Sequence, residues 1–265
     1  LRGESISYIP GGKGANQAVA MARLGAEVEM FGCVGKDANG EILIKNLNQN
    51  GVVTKNIKRV EGVYTGIATI TVGENDNAIV VVAGANEKVD CDYIDMIKED
   101  LLNSELVVLQ HEIPLETVKY AIDICYEKGV KILLNPAPAY ALNEELIKKV
   151  TYITPNEHEA KIIFGGNNKL EDLLRKYKEK LIVTLGEKGV VCCLSDGNIL
   201  QVPCRKSNVV DTTGAGDTLN GALAAQIAEG VSLKKALRFA NIAAGMSVEK
   251  FGAQDGMPCR AEVEK

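Results

Sequence analysis

The sequence predicts an α/β protein with three layers, α/β/α, around a mostly parallel central sheet, and with a small β-sheet lid attached to it. Three observations carry that expectation. From residue 106 onward, strand-like and helix-like segments alternate with short connections, as in parallel sheets covered by helices on both faces. Polar and glycine-rich motifs follow the predicted strands one after another, at the strand ends where open α/β sheets bind ligands. Residues 66–83, by contrast, hold two β-rich runs with no helix after them, which reads as an antiparallel appendage.

Taken in order, Gly11-Gly12-Lys13-Gly14-Ala15-Asn16 opens a helix with Ala15, Ala18, Val19 and Ala22 on one face and Gly25 as its stop. Residues 28–34 alternate as a strand, and a helix over about 39–50 stops at Gly51. The runs 66–72 and 78–83 are joined by the turn-rich stretch 73–77, a hairpin signal. A strand at 106–109 precedes a helix that Pro114 opens and Gly129 closes, with Val118, Ala121, Ile122 and Cys125 on its buried face. A strand at 130–134, a short helix at 143–149, a strand at 151–154, a helix at 169–179 and a strand at 181–185 follow. Residues 190–194 and 198–202 form a hairpin turning at Asp196-Gly197. Two long helices, 215–229 and 233–248, complete the pattern. No internal repeat or linker divides the chain, so residues 1–265 form one main domain, with the lid drawn from about 1–10 and 63–84.

A chain of 265 residues can bury a large core without disulfides or metals. Its net charge of −5 favours neither a nucleic acid nor an acidic membrane as partner. The seven cysteines are odd in number, form no C-x-x-C pair and are joined by only two histidines. That argues against a zinc framework and for a reducing, cytoplasmic setting. The longest apolar runs are too short to span a bilayer, and no secretory signal is visible.

The strongest chemical motif is Asp211-Thr212-Thr213-Gly214-Ala215-Gly216-Asp217-Thr218, which enters an apolar helix. Its glycines let the backbone approach a ligand, and the free N–H groups of the first helical turn form an anion hole over Gly214, Ala215 and Gly216. Asp217 in that turn is a candidate base for an attacking hydroxyl. The plainer alternative is a glycine-rich turn with Asp217 as an N-terminal helix carboxylate. No G-x-x-x-x-G-K-[ST] loop is present, because Lys13 is followed by Gly14. No G-x-G-x-x-G is present either, because Gln17 and Leu219 stand where the last glycine would be.

Two signatures together, Gly11-Gly12-Lys13-Gly14-Ala15-Asn16-Gln17-Ala18 and Asp211 to Thr218, resemble those of the ribokinase family of carbohydrate and nucleoside kinases. Thr65-Gly66, Ala83-Gly84-Ala85-Asn86, Asn135-Pro136-Ala137-Pro138, Thr154-Pro155-Asn156-Glu157 and Thr184-Leu185-Gly186 fall between them in the matching order. The resemblance covers essentially the whole chain. The complete first signature is closer to the ribokinase branch than to the fructose or adenosine branches.

The resemblance implies ATP-dependent phosphorylation of a primary sugar hydroxyl, ribose to ribose 5-phosphate first, with another furanose or a nucleoside as the alternative. It implies Asp217 as the base and Gly214, Ala215 and Gly216 as the anion hole. Gly12, Lys13, Gly14, Ala15, Asn16 and Glu112 correspond to sugar-binding positions. Asn156, Thr184, Leu185, Gly186, Glu187, Lys188, Gly189, Gly216 and Asn241 correspond to the ATP neighbourhood. Asn156 and Glu159 match the element that orders Mg²⁺-bound water, and the same spacing is also a helix capping box. Asp211, Thr213, Ser247, Lys250, Gly252 and Gly256 match positions that hold K⁺, largely through backbone oxygen. The family dimerises through its lid, so a homodimer is expected. His111 has no implied role and reads as structural. The family also opens with a strand and a Gly-x-x-Asn-x-Asp-type turn whose Asp binds two sugar hydroxyls, and that segment would precede residue 1. A catalytically silent regulator is the rival from another class, and retention of Asp217 and its turn speaks against it. An NAD-dependent oxidoreductase would need the fingerprint and acidic ribose partner that are missing.

Overall fold

Residues 132–134 and 181–183 are unbroken apolar runs rather than alternations, and such strands need cover on both faces. The computed structural model, which describes residues 5–73, 76–166 and 168–265, supplies it. The chain begins with α1 (Lys13–Arg23), β1 (Gly32–Gly35), α2 (Ala38–Gln49), β2 (Ile57–Val60), β3 (Ile67–Gly73), β4 (Asp76–Val82) and a 3-10 turn at Gly84–Lys88. The middle holds α3 (Cys91–Met96), α4 (Lys98–Leu102), β5 (Leu106–Leu109), α5 (Leu115–Glu127), β6 (Lys131–Leu134), α6 (Glu144–Lys149), β7 (Tyr152–Ile153), α7 (Glu157–Phe164), α8 (Leu170–Lys176) and β8 (Ile182–Thr184). β9 (Val190–Cys193), β10 (Ile199–Val202), α9 (Ala215–Ala228), α10 (Leu233–Ser247) and α11 (Arg260–Val263) complete it.

Strands β5, β6 and β7 are parallel, and the parallel bridges Ile153–Leu181 and Asn156–Thr184 carry the sheet on to β8. Strands β9 and β10 then add antiparallel. Alternate residues of one strand enter different cores. Ile132, Leu134, Leu181, Val183, Val191 and Cys193 pack with α3 and α5, while Leu133, Ile182, Val190 and Cys192 pack with α9 and α10. This period of two is the pleat itself, and it makes the three layers. A third core joins α1, α2, β1 and β2. There β1 and β2 run parallel, with one further bridge from Glu29 to Val53. Among the described residues β1 and β5 are not paired with each other, so the parallel strands come in two blocks.

Several expectations need correction. The strand expected at 28–34 starts only at Gly32, because Glu29 contributes a single bridge. Strand β7 is two residues long rather than four, and α8 stops at Lys176. Strand β2 and helices α3, α4 and α11 were not anticipated. They are short, and charges interrupt their apolar periodicity, so packing rather than pattern holds them.

The hairpin pairs antiparallel from Ile67–Val82 to Gly73–Asp76. Residues 1–4 of the expected lid, and positions 74 and 75 in its turn, lie outside the described residues. Residues 5–10 belong to no strand. The hairpin's root is tightly built. Asp37 caps α2 through the Gly40 N–H at 2.8 Å and accepts from the Thr65 N–H at 2.8 Å and its hydroxyl at 2.7 Å. The Thr65 hydroxyl accepts in turn from the Gly35 N–H at 2.9 Å. These bonds, led by the Thr65 hydroxyl, hold the Asp37 carboxyl below the usual carboxylate range.

Candidate active site

Helix α9 is buried nearly all round, so its first turn can face a ligand only at the rim of the sheet. Gly214 supplies the turn that starts it, with φ +78°. A Cβ at Gly214 would lie 2.5 Å from the Ala253 carbonyl oxygen, so only glycine admits this approach. One turn further on, α1 crosses α9 closely. A Cβ at Gly221 would meet Ala20 Cβ at 2.6 Å and the Gln17 carbonyl oxygen at 2.8 Å.

That crossing brings residues two hundred positions apart into contact. Asp217 is buried, and both of its oxygens accept from amides of α1: Oδ2 from Asn16 Nδ2 at 2.9 Å and Oδ1 from Gln17 Nε2 at 3.0 Å. Asn16 Oδ1 accepts from Gln254 Nε2 at 2.9 Å. On the far side, Asn220 donates to the Gly216 carbonyl at 2.9 Å and accepts from the Thr154 hydroxyl at 2.5 Å. Asn135 donates to the Thr154 carbonyl at 3.1 Å. The first turn of α9 is thus tied to the ends of β6 and β7 and to α1.

Glu112, just beyond β5, stands across the site. Its Oε2 accepts from the Lys13 backbone N–H at 2.7 Å and faces the Cβ position of Gly12 at 3.9 Å. Burial pushes the Glu112 carboxyl above the usual carboxylate range, the Lys13 contact opposes this, and the Asp217 charge adds to it. Lys13, Gly14 and Ala15 form the first turn of α1, where Gly14 faces Gln110 and Met30 and Ala15 packs into the third core. His111 is structural in its contacts: Nδ1 bonds the Pro138 carbonyl at 3.0 Å and the ring lies 5.7 Å from that of Tyr140.

Asn156 and Glu159 form a reciprocal capping box at the start of α7. The Glu159 N–H donates to Asn156 Oδ1 and the Asn156 N–H to Glu159 Oε2, both at 2.8 Å. Asn156 is solvent-facing and bridges to Thr184, so the ends of β7 and β8 lie side by side. After Thr184 and Leu185, Gly186, Glu187 and Lys188 make one 3-10 turn, closed by Gly189 at φ +87°. Asn241 is 2% exposed and donates to the carbonyls of Val202 at 2.7 Å and Pro203 at 3.0 Å. It braces the backbone against which Gly189 packs.

Asp211 accepts from the Thr213 N–H and the Gly252 N–H, each at 2.9 Å. Ser247 is buried, and a Cβ at Gly256 would fall 1.9 Å from the Ser247 carbonyl oxygen. The 211–213, 247–252 and 256 backbones are therefore packed together, with Lys250 beside them. Among the described residues no group of three or more His, Cys, Asp or Glu is placed to hold a metal ion. Gln17, Gln110, Gln254 and Asn220 escaped the sequence reading because amides carry no charge signal. For Gln17 on α1 and Asn220 on α9 the only hint is polarity on an apolar helix, and Gln110 and Gln254, in loops, carry none.

A family model described as pfkB family carbohydrate kinase matches residues 1–260. A ribokinase from Lactococcus lactis is 49% identical over 99% of this chain and 87% of its own length. One from Bacillus subtilis is 47% identical over 99% of this chain and 89% of its own. The solved structure of an Arabidopsis thaliana ribokinase complexed with ribose and ATP superposes with a TM-score of 0.87 at 30% identity, over 100% of this chain and 91% of that one. The chain belongs to the pfkB family of carbohydrate kinases, and it is an ATP-dependent sugar kinase of the α/β/α fold expected from the sequence.

Proposed function

We propose that the protein transfers the γ-phosphoryl group of ATP to the primary hydroxyl of a pentose, D-ribose giving D-ribose 5-phosphate. The observation that carries the reading is the pairing of a buried carboxylate, Asp217, with the backbone turn 214–216 at the head of α9. Asp217 takes the proton of the sugar hydroxyl as its oxygen attacks the γ-phosphorus. The bond to the β-phosphate oxygen breaks, and ADP leaves. The amides of Gly214 and Gly216 hold the charge that develops on the phosphoryl oxygens, and the Ala215 N–H, which donates to the Thr212 carbonyl at 3.2 Å, joins them by turning from that contact.

Lys13, Glu112 and the Gly12–Asn16 turn bind the sugar hydroxyls, which demand several fixed donors and acceptors. Asn16 acts by holding Asp217, since its side chain is already engaged there. Residues 184–189 line the nucleotide, with Asn241 shaping the wall behind them. Mg²⁺ would come bound to ATP and would offset the charge of its phosphates. Asn156 and Glu159, hard oxygen donors at the rim, order its waters. The 211–213 and 247–256 backbones would hold K⁺. Both Asp211 oxygens already accept N–H bonds, and backbone carbonyl oxygens of these segments would supply most of the ligands. Turnover is expected to be higher in potassium than in sodium at equal ionic strength, and equal rates would remove the K⁺ site.

Two copies pair through the lid, whose Val80, Val81 and Val82 are exposed. Seven free cysteines suit the cytoplasm. A related furanose, deoxyribose or a nucleoside, is the second reading, and a coupled ADP-release assay across pentoses, hexoses and nucleosides separates the two.

The test of the base is Asp217→Asn. General-base assistance contributes about 10²–10⁴-fold, so kcat falls by at least that range with ATP affinity nearly unchanged. A folded variant turning over at the parent rate would sink the mechanism. The new amide also faces two amide donors, Asn16 and Gln17, each fixed from behind by another amide. Melting temperature therefore drops as well, and kcat is normalised to folded protein.

A further inference from the structure

We infer that Gln17 is a positioning residue for the phosphoryl-transfer step: it holds the Asp217 carboxylate in the plane from which it accepts the sugar proton. The inference rests on the reading of Asp217 as the base.

Gln17 has no solvent exposure, so it touches neither sugar nor nucleotide directly. Its amide is fully committed. Nε2 donates to Asp217 Oδ1 and to Asn135 Oδ1, each at 3.0 Å, and Oε1 accepts from Gln110 Nε2 at 2.6 Å. Reversing the amide would set its oxygen against two acceptors and its NH₂ against a donor, so one orientation is enforced. Asn16 alone, bonded to Oδ2 at 2.9 Å, would leave the carboxylate free to pivot about that contact. Two donors on neighbouring positions of α1 remove the pivot.

The two amides are anchored to different parts of the molecule. Asn16 is held by Gln254, in the loop after α10, and Gln17 by Gln110 and Asn135, at the ends of β5 and β6. The carboxylate is thereby referenced both to the loop beside the anion hole and to the sheet edge that carries Glu112. A neutral amide suits the task, because it orients a carboxylate without competing as a charged partner for the proton. Burial requires any glutamine to have its polar atoms bonded, so what points to the reaction is its partner, the carboxylate of Asp217. The methylene-rich core around Ala18, Val19 and Ala20 shows what space-filling looks like on the same helix.

Gln17→Met keeps length and volume but removes both donors. Losing orientation alone costs about 10²-fold in well-aligned reactions. We expect kcat to fall by about 10- to 100-fold while the KM values for sugar and ATP stay within about twofold. Gln110→Met removes only the brace behind Gln17 and should lower kcat less, with the same split. The double variant should be no slower than Gln17→Met, since both act through one contact.

If Gln17→Met does not fold, Gln110→Met carries the test by its kcat loss at constant KM. A folded Gln17→Met protein with kcat within about twofold of the parent would overturn the inference, as would kcat and sugar affinity lost in proportion. Asp217→Asn, assayed alongside, separates the two levels. If that variant is inactive while Gln17→Met is unaffected, only the positioning role fails. If Asp217→Asn is active, the reading beneath it fails too.

Discussion

At the crossing of α1 and α9 the protein buries Asn16, Gln17, Asp217, Asn220 and Gln254, while on the β3–β4 hairpin it leaves Ile70, Val80, Val81 and Val82 in solvent. The two regions depart from the ordinary partition of polar and apolar groups in opposite directions. Burying polar side chains costs free energy unless each finds a partner. At the crossing each does, and the outcome is a rigid carboxylate at the mouth of a helix. The hairpin instead exposes apolar side chains on both faces, Ile67, Val80 and Val82 on one and Ile70 and Val81 on the other, and a two-stranded hairpin by itself is marginal in water. The first inversion is resolved inside the chain, and the second is the surface that the proposed second copy would cover. Their roots differ as well. The crossing is seated by a helix–helix contact with no room for a methyl group, the hairpin by the Asp37–Thr65 clasp.

The sharpest way to break this contrast is to force the crossing apart. In Gly221→Ala the added methyl must displace Ala20 or the Gln17 backbone. Overpacking of this kind costs about 1–3 kcal/mol. Because Asn16 and Gln17 move with α1, kcat of the folded protein should drop as well, by up to about 10²-fold. Melting curves and single-turnover rates on the same preparation check this. A lower melting temperature with an unchanged rate would mean that the network tolerates movement.

A charge on the hairpin addresses the other side. Val81→Asp should leave the fold and nucleotide affinity intact but weaken dimerisation by about tenfold or more, the equivalent of about 1.4 kcal/mol. Sedimentation velocity over a range of concentrations reads it. A parent protein that is monomeric at every micromolar concentration would dissolve the idea that a second copy covers the lid.

Next comes the clasp. Thr65→Val preserves shape and leaves the Gly35 N–H and Asp37 short of a partner, a loss of about 1–3 kcal/mol. Hydrogen exchange should rise first in β3, β4 and their root, with α1 and α9 still protected. Uniform deprotection would show that the lid and body unfold as one unit.

The smallest effect is at Glu112. Its pKa is raised in the folded protein, so the fold gains from its protonated form. That contribution is present at low pH and lost as pH rises through the raised pKa. Glu112→Gln should therefore stabilise the protein slightly at neutral pH, by up to about 1 kcal/mol, while weakening sugar binding. In the parent, sugar KM should climb as pH falls through a value above the usual carboxylate range. A flat KM across that window would remove Glu112 from sugar binding.

The sequence by itself determined the fold class, because strand-like and helix-like segments alternate with short connections from residue 106 onward, which calls for a parallel sheet covered on both faces. It also determined the family chemistry, since Gly214 and Asp217 sit in a local motif whose backbone needs only neighbouring residues. Capping of α7 was legible for the same reason, Asn156 and Glu159 being three positions apart. What only the tertiary structure decided are the contacts between distant segments. Asn16 is expected at the sugar and Asn241 in the adenine neighbourhood, but only the structure shows that the first donates to Asp217 and the second to two carbonyls. Strand β2 and the short helices α3, α4 and α11 depend likewise on what packs against them. Hydrophobic periodicity and turn chemistry act over a few residues and leave a mark in the sequence. A hydrogen bond between neutral amides two hundred residues apart leaves none, because its value depends on the water excluded around it, and that exclusion exists only after α1 and α9 have crossed.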